Sequence, residues 1–189
     1  EVFCIINGTE EKFLIQLFTE LQEKKNVRSN LSALRASLKE ATEEQKAQAI
    51  EFVRGHEDLV FGFLQEEDAK TRKNAALLLG DLAVQNALQP LWKAYTREQT
   101  LFVKSAYLEA MKALHAEEIL SQLKDRLAEL EGEPVTEENR KHREAELRAL
   151  RAILIQYEGI DTHHFDIKQK NNHVPVSYTH LRAHETLSD

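Results

Sequence analysis

The chain has 189 residues, 42% of them apolar and 30% charged, with a formal net charge of −7. That balance suits one soluble helical domain or a little more, with a continuous core, and excludes a disordered chain or one whose overall charge would draw it to nucleic acid. The single cysteine, Cys4, leaves no partner for an internal disulfide or a thiolate metal site, and no apolar run approaches the ~18 residues of a membrane span. A cytoplasmic protein with no membrane partner is expected.

Val2-Phe-Cys-Ile-Ile6 is too short for a secretory signal and has no basic residue before it. Cys4 within it reads as packed rather than catalytic. The chain begins at Glu1 rather than Met, so the native N-terminus is expected to be missing. Thr9, followed by Glu10 and Glu11, reads as the N-cap of a helix that ends near Asn26, with Phe13, Leu14, Leu17, Phe18 and Leu21 as its apolar stripe. Residues 27 to 40 form the next helix. Thr42 with Glu43 and Glu44 caps another that Gly55 ends, and residues 58 to 64 supply a short one.

Ala75, Leu78, Leu79 and Leu82 then fall at i, i+3, i+4 and i+7, one face of a helix. Leu88, Leu91, Trp92 and Tyr95 repeat the spacing in a second, so residues 64 to 96 read as a helical hairpin. A shift of 32 residues lays Lys104, Ala110, Met111 and Leu114 on Arg72, Leu78, Leu79 and Leu82. The same shift lays Ile119, Leu120, Leu123 and Leu127 on Ala87, Leu88, Leu91 and Tyr95, giving a second hairpin over 97 to 131. A looser copy over 27 to 63 places Arg28, Asn30, Leu34 and Leu38 on Arg72, Asn74, Leu78 and Leu82. Pro134 breaks the pattern, and Thr136 with Glu137 and Glu138 opens a long helix to about 158, with Leu147, Leu150, Ile153, Leu154 and Tyr157 as its buried stripe. Acid-to-base pairs are expected there between Glu137 and Lys141 and between Glu144 and Arg148. Gly159 is a natural terminator. A fixed period of this length is the mark of stacked helical repeats, so an all-α solenoid is expected over residues 9–159.

An acidic residue, then a basic one, then Ala-rich and Leu-rich turns, Gly80-Asp81-Leu82 and a second helix resemble HEAT-type repeats over residues 64 to 130, more loosely over 27 to 64. The resemblance implies an Armadillo-type α-α superhelix that binds other macromolecules. It also implies a ladder in which Arg72 and Lys104 pair with acids such as Asp68 and Asp81, while Gly80 allows close helix packing.

After Ile160 the helical period stops, and residues 160–174 read as a linker or the start of a missing domain. Residues 175 to 186, Pro-Val-Ser-Tyr-Thr-His-Leu-Arg-Ala-His-Glu-Thr, resemble a translated read through the mosaic-end adapter of transposase-based sequencing libraries. Residues 175–189 are therefore expected to be a non-native, disordered tail, with the native gene continuing elsewhere from about Val174.

No catalytic residue, cofactor or metal is expected. His163, His164, His173, His180 and His184 crowd the end, but the pair His180 and His184 lacks any carboxylate-bearing metal motif. His56, His115 and His142 sit singly in polar surroundings, and the six glycines form no phosphate loop. Acidic clusters flank helix starts, where they complement the dipole. Lys70, Lys73, Arg97 and Lys104, with Lys93 and Arg72 nearby, are the candidates for macromolecular contact through a basic ridge. Trp92 and Tyr95 read as core.

Asn30-Leu-Ser-Ala-Leu34, the run from Lys70 to Gly80, Phe102-Val-Lys-Ser-Ala-Tyr107 and Glu138-Asn-Arg-Lys-His142 together resemble the N-terminal helical region of clostridial-type bacterial proteins described as RNA methylases. The resemblance implies an accessory region ahead of an S-adenosylmethionine-dependent domain, and RNA as a partner through that parent. No glycine-rich cofactor loop and no Asn/Asp-Pro-Pro-Tyr motif is present, so methylation falls on no residue of this chain. The reading reached is a non-catalytic helical-repeat scaffold for a protein partner or attached domain. As a stack cut short it is expected to self-associate to some degree.

Overall fold

A computed structural model describes residues 2–158, with side chains from residue 11 to residue 157. Among these there are nine α-helices, three short 3-10 turns and no strand. The helices are α1 (Val2–Gln22), α2 (Val27–Leu38), α3 (Glu43–Gly55), α4 (Glu57–Gly62) and α5 (Ala69–Asp81), then α6 (Leu88–Arg97), α7 (Leu101–Ala113), α8 (Leu120–Gly132) and α9 (Arg140–Glu158). The all-α class stands. The linker and tail expected after residue 159 lie outside the described residues, as do His163, His164, His173, His180, His184 and Gly159.

Local chemistry sets several of the boundaries. Thr42 and Gln45 exchange side-chain and backbone bonds at the start of α3, a capping box. The Asp68 carboxylate caps α5 by accepting from both the backbone N–H and the hydroxyl of Thr71, each at 2.8 Å. Thr136 and Asn139 make the same reciprocal exchange in the turn ahead of α9. Pro90 falls in the first turn of α6, where its missing N–H would have had no helical partner. Three boundaries differ from expectation. α9 starts at Arg140 rather than at Thr136, and residues 137–139 form a turn. α1 starts at Val2 and passes through Thr9, because nothing in the apolar lead-in forbids a helix and one glycine costs only about 1 kcal/mol. It stops at Gln22 because Lys24 and Asn26 take left-handed backbone angles, with φ of 55° and 45°.

The helices pack in two rows. α2, α5, α7 and α9 lie side by side in that order, and α1 packs on α2. Each second-row element packs on the first-row helix that follows it: the 3-10 turn Phe63–Gln65 on α5, α6 on α7 and α8 on α9. One core runs through all of them, from Leu14, Leu17 and Leu21 to Leu150, Ile153 and Leu154. Phe13, expected in the stripe of α1, is instead 46% exposed. α5 and α7 lie close together at Gly80, where an added Cβ would stand 2.9 Å from the Ala110 Cα. A side chain there would collide with backbone, so the helices depend on the glycine for lack of bulk.

Candidate functional site

Most of the charge between helices is committed to structure. On α5, Arg72 donates through Nε and Nη2 to Glu98, at 2.8 and 3.1 Å. Its Nη1 donates to the carbonyls of Glu66 and Glu67 at 2.7 and 2.8 Å. Glu98, only 7% exposed, also accepts from the backbone N–H groups of Gln99 and Thr100, which lead into α7. Burial pushes the Glu98 carboxyl up, but Arg72 and Thr100 outweigh it and hold it below the ordinary carboxylate range. Arg72 therefore does not pair with Asp68 or Asp81, as the repeat pattern implied. Asp68 is taken by Thr71, and Asp81 accepts from Arg35 of α2 at 2.7 Å. Tyr107 closes the underside, its hydroxyl donating to the Leu64 carbonyl at 3.1 Å and its pKa pushed up to about 12 by burial and by the nearby Glu98 charge.

A second network centres on Glu146 of α9, 6% exposed. Tyr95 of α6 donates to it, Lys104 of α7 lies 3.4 Å away and Arg126 of α8 lies 3.2 Å away. Burial pushes the Glu146 carboxyl up; the Tyr95 hydroxyl and the two cations overcome that and lower it. Lys104 also stands over the Tyr95 ring, 5.4 Å from its centre. Lys104 is thus removed from the contact candidates: its neighbour is a buried carboxylate, which no short-range reading could supply. The acid of the expected pair Glu137 and Lys141 goes to Arg140 instead, at 2.7 Å.

The remaining cations fall into two separate grooves rather than one ridge. The larger, of about 840 Å³, runs between the 3-10 turn Phe63–Gln65 and α6. Phe61, Pro90 and the half-buried Trp92 give it an apolar floor; Lys93 and Arg97 stand on one side and Glu66 and Glu67 on the other. Trp92 packs against the core with one part and faces the groove with another, so the expectation of a core residue is half met. Tyr95 is core. The smaller groove, of about 470 Å³, is lined by Arg28, Ser29 and Ser32 of α2, Lys70, Lys73 and Asn74 of α5 and Phe102 of α7. It lies along the first turns of three adjacent first-row helices.

Comparison with protein-family models, curated proteins and solved structures finds no match. The chemistry of the grooves stands alone. Among the described residues, no group of three or more His, Cys, Asp or Glu is placed to hold a metal ion. No helix there is long and apolar enough to cross a membrane. His56 ends α3, its Nδ1–H donating to the Phe52 carbonyl and its Nε2 accepting from the Gln22 amide, with its ring stacked on Phe52. Sequence reasoning missed Glu98, Glu146, Arg126 and Phe102. Only Phe102 left a signal, as an exposed aromatic two residues into a helix beside a basic copy of the same turn.

Proposed function

We propose that the chain is a helical-repeat scaffold of the HEAT or Armadillo kind that binds an extended segment of a protein partner in the larger groove. The observation that carries this is the make-up of that groove. An apolar floor of Phe61, Pro90 and Trp92 offers an anchor for one side chain of a partner. Gln65, Gln89 and Gln99 line it with amides able to meet peptide N–H and C=O groups. Cations on one side and acids on the other would fix the direction of the segment. The two-row packing, in which every second-row element rests on the next first-row helix, supports a repeat stack.

Trp92 is the only tryptophan in the chain, so its emission reports on this groove. Peptides selected from a random library on the immobilised chain should shift Trp92 emission on titration, and Arg97→Glu should weaken them. Binders that leave Trp92 emission unchanged and are indifferent to Arg97 would overturn the groove as the site.

A second reading, an accessory region of an RNA methyltransferase, draws support from the smaller groove and its cations. Sequencing the gene across the position of Val174 tests it: a glycine-rich cofactor loop downstream would support it, and a stop within a few codons would remove it.

A further inference from the structure

We propose that the smaller groove is a binding site for single-stranded nucleic acid, taking phosphates on Arg28, Lys70 and Lys73 and a base on Phe102. Three cations from α2 and α5 line one groove, and no acid lines it. Among the described residues no carboxylate forms an ion pair with any of the three. Asp68, whose carboxylate caps α5 through Thr71, feels the Arg28 charge but does not line the groove. Elsewhere this molecule neutralises its inter-helix cations with care, as at Arg35, Arg72, Lys104 and Arg126. Three cations lining one groove without an ion-paired carboxylate are therefore a departure from that pattern, and their mutual repulsion is relieved when an anion binds between them.

Two further features separate a nucleic acid from a plain anion. Phe102 is 46% exposed at the edge of the groove, an apolar ring left in water beside the cations. Unpaired bases stack on such rings whatever their identity, whereas a duplex keeps its bases stacked on each other. Ser29, Ser32 and Asn74 add short polar groups that suit phosphate and sugar oxygens. The overall charge of −7 gives no long-range attraction, so affinity must come from these local contacts.

The test is fluorescence anisotropy of labelled oligouridylate and oligothymidylate, each about a dozen nucleotides, titrated with the full chain. Three phosphates neutralised on a single strand predict a slope of log K against log salt of about −2, so raising salt from about 50 to about 200 mM weakens binding about 20-fold. Lys70→Ala with Lys73→Ala should reduce that slope to about −0.7. Phe102→Ala should weaken binding by about 5-fold or more at every salt concentration and leave the slope unchanged. All three side chains are exposed or half-exposed, and circular dichroism verifies that the variants fold. Binding of either strand with this split of effects supports the site, the two strands distinguishing RNA from DNA. No binding at low salt, binding unaffected by the substitutions, or equal binding of a polyglutamate peptide overturns it. The peptide groove is read separately through Trp92, so either proposal can fail alone.

Discussion

Glu98 joins two jobs in one carboxylate: it receives the paired nitrogens of Arg72 at 2.8 and 3.1 Å and the backbone N–H groups of Gln99 and Thr100 at 3.0 and 2.8 Å. The connection into α7 and the start of α5 are therefore held by the same two oxygens. Arg72→Ala should destabilise the chain by about 2–3 kcal/mol, because it strands a buried carboxylate. Glu98→Ala should cost more, since two backbone donors lose their acceptor as well. Glu98→Gln keeps an oxygen for the backbone and should fall below both. Urea denaturation of the three variants decides the order; a neutral Arg72→Ala would mean that the pair is merely solvated surface.

Around Glu146 the partners are unequal. Glu146→Ala leaves Lys104, Arg126 and the Tyr95 hydroxyl without their shared acceptor and should cost about 3–5 kcal/mol. Lys104→Met removes one cation of two and keeps an apolar stem over the Tyr95 ring, so its cost should stay near 1 kcal/mol. The double variant should be much less destabilised than the sum, a coupling that a double-mutant cycle measures.

Stability should fall on both sides of neutral pH. Glu98 and Glu146 have folded values below the ordinary carboxyl value of 4.5. Their contribution is complete above that value and is lost as pH falls through the lower folded values, because the unfolded chain then binds more protons. Tyr107 is the opposite case: its folded value of about 12 lies above the ordinary 10.0, so the native state keeps a proton that the unfolded state releases. Its contribution is complete below pH 10.0 and disappears as pH rises from there toward 12. Melting temperatures across the range give both limbs. Glu146→Gln should reduce the acid limb, with Glu98 supplying the rest, and Tyr107→Phe should reduce the alkaline one, to which the buried Tyr95 also contributes.

Gly80→Ala should destabilise by about 1–3 kcal/mol through overpacking against α7. Shaving the opposing side chain tests what the obstacle is. Ala110→Gly removes the Cβ at 3.2 Å but not the Cα at 2.9 Å, so it should rescue Gly80→Ala only slightly. A full rescue in thermal melts would mean that the two side chains, and not the backbone of α7, set the spacing.

The apolar faces were legible because helical periodicity is local. Ala75, Leu78, Leu79 and Leu82, and later Leu147, Leu150, Ile153 and Leu154, are all buried where the spacing put them. Thr42 announced the start of α3 for the same reason, since a cap and its donor lie within one turn, whereas Asp68, read as a ladder acid, proves to be the cap of α5, and Thr136 marks a turn ahead of α9. The charge partners were not legible. Glu98 meets Arg72 across 26 positions and Glu146 meets Lys104 across 42, and nothing nearby marks either acid as buried. The cations left over, Lys70 and Lys73, were visible as candidates only as a set. Their separation from Arg97 into another groove follows from which row each helix occupies.

Glu146 has a bearing on how the chain is made. Its partners come from α6, α7 and α8, yet it sits on α9, which also covers the flanks of α7 and α8. Synthesis proceeds from the N-terminus, and domains begin to fold as they emerge. A nascent chain released only as far as residue 139 lacks the acceptor that Tyr95 and Lys104 share, leaves Arg126 with only Glu129 and Glu133, and exposes the apolar bed of α9. The last helix thus serves as a clasp, and the helices before it are expected to settle only once residue 146 has cleared the exit tunnel.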